Sequence, residues 1–199
     1  GFTARDRRAL LITALCGIPA LALAGCGDII GPPVAPQIYL VRPQFPALAT
    51  TPAKTGWSLA VMRPTASAAL NSERIAILKP DATLDYYAGA QYSDPLPRLV
   101  QTALVNGFEK SGALNGVATE SDALHADYDL LIDSKDFSAR YAVPDGVPEA
   151  VVGFTAKLVT AHGRNFVSSV TITHTVPATA NTIGAAADAL QQALAATAS

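Results

Sequence analysis

Residues that do chemistry are scarce here: two cysteines, one methionine, one tryptophan and three histidines in 199 positions. His125, His162 and His174 lie far apart in sequence with no companion at metal-ligand spacing, so no metal centre is expected. The chain has no Gly-x-Ser-x-Gly elbow, no phosphate-cradling loop and no dinucleotide fingerprint. Nothing in it points to a cofactor or to an enzyme. The formal net charge is −2, with no cationic cluster after the first eight residues, which argues against nucleic acid as a partner. No apolar run reaches the roughly 20 residues that a membrane-spanning helix takes.

What the sequence does have begins at its amino end. Arg5, Arg7 and Arg8 precede an apolar stretch over residues 9–22, interrupted only by Thr13, Gly17 and Pro19. A basic head, a short apolar middle and small residues at the end make a secretory signal peptide. Leu23-Ala24-Gly25-Cys26 then matches the bacterial lipobox, in which the cysteine takes a diacylglycerol and becomes the first mature residue. The competing reading, a buried cysteine in an N-terminal helix, is weakened by Gly17, Pro19 and Gly25. Arg7-Arg8 is only part of a twin-arginine motif, so the export route stays open. The sequence starts at Gly1 without a methionine, and its native start is left open too.

Lipidation settles the cysteine arithmetic. Cys16 would leave with the signal and Cys26 would carry lipid, so the mature chain is expected to have no free thiol and no disulfide. Loss of residues 1–25 removes three arginines and one aspartate, moving the formal charge from −2 to −4. Each buried methylene of an acyl chain contributes about 0.8 kcal/mol, and two or more chains anchor a protein without help from a polybasic patch. The expected organisation is a signal peptide at 1–25, a lipidated Gly/Pro-rich tether at 26–37, and a single domain at 38–199.

Within that domain, residues 38–41, 57–62 and 75–78 read as short strands, each followed closely by Arg-Pro or Lys-Pro that ends the ladder. Residues 83–88 read as another. Pro95 opens a helix with Asp94 as its N-cap. Leu96, Leu99, Val100, Ala103, Leu104 and Phe108 follow helical spacing, while Arg98, Gln101, Thr102, Asn106 and Glu109 lie elsewhere around the wheel, and Ser111-Gly112 ends the helix. A short strand at 116–120 and three longer ones at 128–141, 150–161 and 165–176 follow, the last two joined by a turn at His162-Gly163-Arg164. After Pro177, Ile183, Ala186, Ala187, Leu190 and Leu194 give the stripe of a final helix of about fifteen residues. Two amphipathic helices against a mixed sheet of five to seven strands is an α/β fold.

Asp127, Asp129, Asp133 and Asp136 look like a carboxylate cluster, but strand spacing puts 127, 129 and 133 on one face, where solvated charges are the expectation. Tyr86, Tyr87 and Tyr92, beside Pro95-Leu96-Pro97, concentrate amphipathic rings next to the first helix. They fit a packed corner with hydrogen-bonded phenols, or a candidate partner surface, and the two readings are compatible.

The collinear order of the lipobox, "PQIYLVRP", the run from "LAVMRPTASAALNSERIAILKPD" to "LVQTALVNGFEKSG", and "ADYDLLIDSKDFSARY" resembles the ABC-type transport auxiliary lipoproteins, the PqiC-like proteins associated with MCE systems. Many relatives carry tryptophan where Tyr92 stands; an aromatic ring is kept. The resemblance implies an anticodon-binding-domain-like sandwich akin to the N-terminal domain of TolB, and a non-catalytic role. It also implies partners: an MCE-domain (MlaD- or PqiB-like) protein and the permease and ATPase of an ABC transporter moving lipid between the two membranes. Some relatives oligomerise, so a homo-oligomer is left open. The alternative is a lipoprotein that carries lipid, or acts as an envelope scaffold, on its own. Gly27, not aspartate, follows Cys26, which leans the expected site toward the periplasmic side of the outer membrane rather than the inner.

Overall fold

One strand organises the sheet. In the computed structural model, which describes residues 35–45, 53–122 and 125–198, β7 (Tyr128–Arg140) is thirteen residues long and pairs on both edges. Along one edge it meets three strands end to end, all parallel: β2 (Ser58–Val61), then β3 (Thr65–Ala66), then β4 (Arg74–Leu78). Along the other edge it pairs over its whole length with antiparallel β8 (Glu149–Thr160), which in turn pairs with β9 (Phe166–Pro177). β6 (Gly116–Thr119) flanks β2, and β5 (Leu84–Tyr92) flanks β4 and carries β1 (Gln37–Tyr39) outside it. The mixed α/β sheet expected from the sequence is present, with nine strands among the described residues rather than five to seven. Eight of them answer to the runs read above, β1 included; β3, two residues long, is too short to leave a periodicity.

Among the described residues the helices are α1 (Leu96–Ser111) and α2 (Ile183–Thr197). Gly112 ends α1 with φ 64°, a left-handed conformation that a Cβ disfavours. The start of α1 differs from the expectation. Pro95 occupies the N-cap position with no side-chain cap bond, and Asp94 instead reaches Arg98 at 3.7 Å. The prolines at 95 and 97 lack N–H groups, so fewer orphan donors remain for a cap to satisfy. α2 is capped by Thr182, whose Oγ1 accepts from the Ala185 N–H at 3.2 Å.

Both helices share a core with one face of the sheet. Leu99, Val100, Ala103 and Leu104 of α1 and Ala189, Leu190, Ala193 and Leu194 of α2 bury with Leu59, Val61, Ile132, Phe137, Val152 and Phe154. A bulge in β7 keeps its apolar side chains on that face. Ser134 faces Phe154 and Asp136 faces Gly153, leaving Lys135 as the extra residue. The phase therefore shifts, and Phe137 and Ala139 follow Ile132 and Ser134 into the core.

The same shift corrects the acidic face. Strict alternation leaves Asp136 off it, whereas the bulge brings Asp136 to the side that carries Asp129 and Asp133. Asp136 there accepts from Ser138 Oγ at 2.6 Å and from Arg140 at 3.1 Å. Asp133 pairs with Lys135.

Candidate functional site

The three candidate tyrosines all belong to β5, and the structure disperses them. Tyr86 and Tyr87 are consecutive strand residues, so they leave the sheet on opposite faces. Tyr86 is half-buried; its hydroxyl donates to the Ala69 carbonyl at 3.0 Å, and the Arg74 guanidinium lies 3.5 Å from its ring centroid. Tyr87, also half-buried, begins a hydrogen-bonded relay. Tyr141 donates to Asn181 Oδ1 at 2.9 Å, which uses its only proton, so the 2.9 Å contact between the two phenols has Tyr87 as donor. Asn181 continues the relay to the Asp145 carbonyl at 3.0 Å. Burial, and then the bond to Tyr141, push the Tyr87 phenol above its ordinary range, so it stays neutral. The relay ties β5 to the β7–β8 and β9–α2 loops.

Tyr92 corrects the partner-surface expectation and fits the packed corner, though without the hydrogen-bonded phenol. It is 2 % exposed and stacks edge-on against Phe137, with centroids 6.1 Å apart and planes at 79°. Its hydroxyl has no hydrogen-bond partner among the described residues, and burial pushes its pKa up as well. Tyr92 is a core ring and offers nothing to a partner, because the register shift in the β4–β5 ladder and the Phe137 contact turn it inward. Tyr86 with Arg74, and the exposed Arg98, Thr102, Asn106 and Glu109 of α1, are what this corner presents to solvent.

Gln101 does not belong with that exposed set, although the helical wheel puts it there. It is 8 % exposed, and its amide donates to the Val61 carbonyl at 2.9 Å and to Glu120 Oε2 at 2.5 Å. The sequence held one clue: Gln101 lies one turn from Leu104 and next to Val100, at the border of the apolar stripe.

Glu120 also lines a shallow cleft of about 270 Å³, with Ala60, Met62, Thr119, His125, Asp129 and His162 among its walls. Two histidines 37 positions apart meet here because the β8–β9 turn folds back beside the approach to β7. Their separation in sequence says nothing of this proximity. Among the described residues, no three His, Cys, Asp or Glu side chains are arranged to hold a metal. Asp127 stands beside the cleft with a structural job. Its Oδ2 accepts from the Ser58 N–H at 2.7 Å and from Ser58 Oγ at 2.8 Å, which pulls its pKa below the usual carboxylate range. These bonds join the start of β2 to the start of β7.

Cys26 and the lipobox residues Leu23, Ala24 and Gly25 lie outside the described residues.

With that geometry in place, likenesses to known proteins can be set beside it. The chain resembles a protein of Xanthomonas campestris of known crystal structure at 28 % identity, covering 81 % of this chain and 90 % of that one with a TM-score of 0.74. A second solved structure, of an uncharacterized protein, matches at 15 % identity and TM-score 0.63 over 82 % of this chain and 94 % of its own, a likeness of fold alone. An uncharacterized protein of Bradyrhizobium diazoefficiens is 35 % identical over 107 residues, which is 54 % of this chain and only 28 % of that relative. The profile of the ABC-type transport auxiliary lipoprotein component matches residues 39–199, taking in every strand and helix from β2 to α2. The chain belongs to the family of ABC-type transport auxiliary lipoprotein components.

Proposed function

We propose that this protein is a non-catalytic accessory of an MCE/ABC-type lipid transport system, working between the inner and outer membranes of a bacterial envelope. The observation that carries the reading is the family match over residues 39–199. Cys26 is its lipid anchor, residues 26–37 its tether and residues 38–199 its working domain, on the periplasmic side and on the outer membrane in preference to the inner. Its partners are an MCE-domain protein and the permease and ATPase of the transporter.

Two features support docking over carriage. The cleft of about 270 Å³ falls below the roughly 300–1,000 Å³ typical of small-molecule sites, and its walls include Glu120, Asp129 and two histidines. An acyl chain finds too little volume in it. The Tyr86–Arg74 pair and the exposed side of α1 supply amphipathic and charged contact area instead.

Affinity capture of the full, lipidated chain from solubilised envelopes of its own host tests this. The expected result is an MCE-domain protein, or a transporter subunit, retained in stoichiometric amount and diminished by Arg98→Glu with Asn106→Glu. Retained lipid with no transporter component makes the protein an independent carrier instead. The anchor has its own test: Cys26→Ser leaves an uncut, unlipidated precursor, and a mature mass unchanged by that substitution removes Cys26 from the account.

A further inference from the structure

We infer that one end of the sheet, formed by the β4–β5 turn and the β7–β8 loop, rests directly on a zwitterionic phospholipid surface through Leu84, Val143 and Val147. The inference rests on Cys26 being the lipid anchor, and goes beyond it by stating which end of the domain meets the bilayer.

Two ends of the sheet expose large apolar side chains. Where β7 finishes, Leu84, Val143 and Val147 are 44 %, 59 % and 55 % exposed; at the opposite end, beside the β8–β9 turn, Phe166 is 66 % exposed. The course of the chain distinguishes the two. β1 runs parallel to β5 with Gln37 opposite Ala90, so traced backward from Gln37 it points toward Leu84 and the first end. That end is six residues of β5 away, about 20 Å at the usual rise. Pro36 lies ten positions after Cys26, a length of chain that spans at most about 35 Å. A straight course reaches the first end with length to spare. The β8–β9 turn lies the other way, past most of β7, and takes a reversal and then about 30 Å. An anchor on so short a lead favours the first end.

The β7–β8 loop holds its valines outward on a braced backbone. The Tyr141 N–H donates to the Leu78 carbonyl at 2.9 Å, and the Gly146 N–H closes a turn on the Val143 carbonyl at 3.2 Å. Asn181, at the end of the relay from Tyr87, donates to the Asp145 carbonyl, and the Pro148 carbonyl accepts from the Ala178 N–H at 2.9 Å. Pro144 and Pro148 have no N–H to satisfy. A loop whose backbone groups are bonded within the protein loses little on leaving water, as an apolar tip at a lipid surface must. Charge selects the lipid. Lys79 already pairs with Asp85 at 2.7 Å and Arg140 with Asp136 at 3.1 Å, while Asp145 is exposed at the tip with no side-chain partner among the described residues. Residues 79–84 and 141–148 thus offer no unpaired cation to an anionic surface, whereas the ammonium of a zwitterionic headgroup suits Asp145.

The lipidated full chain, reconstituted in vesicles of phosphatidylcholine and phosphatidylethanolamine, tests this with a polarity-sensitive fluorophore on one introduced cysteine at a time. Probes at Val143→Cys and Val147→Cys are expected to shift to the blue. Headgroup-labelled quencher lipid should quench them at least about threefold more than a probe at Phe166→Cys. With the probe at Leu84→Cys, adding Val143→Asp and Val147→Asp is expected to remove most of the quenching while the melt, both sites being exposed, stays as before. The mass of each sample reports whether Cys26 carries lipid. Lipid on Cys26 with both valine probes in water, or with the Phe166 probe quenched more than they are, overturns the inference and leaves the anchor standing. A chain without lipid overturns both. In host envelopes a photocrosslinking residue at Val147 is expected to form phospholipid adducts. Adducts to another protein or to a second copy instead give this loop a protein partner and overturn the lipid contact.

Discussion

Tyr92 and Gln101 are both polar groups placed in the core, and they make opposite predictions. The Tyr92 hydroxyl is buried without a hydrogen-bond partner among the described residues, so folding strips it of water and returns nothing. Tyr92→Phe keeps the ring stacked on Phe137 and deletes only that unsatisfied group. Its unfolding free energy is expected to hold or to rise by up to about 1 kcal/mol in denaturant titration. A loss of more than about 1 kcal/mol would reveal a hydroxyl partner and sink this account of the site. Gln101 satisfies two acceptors, the Val61 carbonyl and Glu120. Gln101→Leu fills the same space and orphans both, which costs about 1–3 kcal/mol by the same titration, whereas the exposed neighbour Thr102 tolerates Leu nearly unchanged. An aromatic residue at 92 and an amide at 101 were plain in the sequence. Which way each faced was not, since Gln101 sits where the polar and apolar arcs of α1 meet and Tyr92 follows the irregular Gly89, whose φ is +68°.

The bulge at Lys135 decides whether β7 presents one apolar face or two half-faces. Side-chain direction alternates with a period of two, so one extra residue moves everything after it to the other side. Deleting Lys135 would turn Phe137 and Ala139, 1 % and 0 % exposed, out of the core and bring Asp136 and Ser138 toward it. Burying a carboxylate and exposing a phenylalanine exceed what a domain with the usual roughly 5–15 kcal/mol of stability absorbs. The deletion is expected to abolish cooperative unfolding, read as loss of the thermal transition. Lys135→Ala, which keeps the residue count and removes one exposed ion pair with Asp133, is expected to cost less than about 1 kcal/mol. Equal damage from the two changes would mean that the charge, not the register, matters here. The strands themselves were readable because β-branched residues cluster and prolines end them, and both helices follow the stripes seen in the sequence. The bulge was hidden: "DSKDF" offers neither glycine nor proline to mark it.

At the scale of the sheet, an α/β set of elements was legible in the sequence, but not that β2, β3 and β4 line up along one edge of β7. Those pairings join segments some 60 to 70 positions apart, and local periodicity carries no information about partners. Hydrogen-bonded carboxylates, one of them at such a long-range joint and four within local turns and strands, are where pH acts. Asp127 ties β7 to Ser58, Asp122 caps the turn after β6 through the Thr119 N–H, Asp85 holds Lys79 across the β4–β5 turn, Asp81 binds Thr83 and Asp133 binds Lys135. Each of these carboxyls lies below its ordinary range because the folded state bonds its ionised form. A lowered folded pKa means that the unfolded chain binds the proton more readily. The stabilisation is therefore complete above the unfolded value of about 3.9 and is lost as pH falls through the folded values. The phenols of Tyr87 and Tyr92 act at the other end. Their raised pKa contributes stability below the unfolded value of about 10 and loses it as pH climbs toward the folded values. The melting temperature is thus expected to be flat between about pH 5 and pH 9, to fall below about pH 4, and to fall again above about pH 10. Asp127→Asn separates charge from shape, because an amide oxygen still accepts from Ser58 but carries no charge. Its melting temperature should lie below the parent's at neutral pH and converge on it in acid. A gap that stays constant down to the lowest pH would show that the Ser58 contact works by geometry alone, with no contribution from the ionised carboxylate.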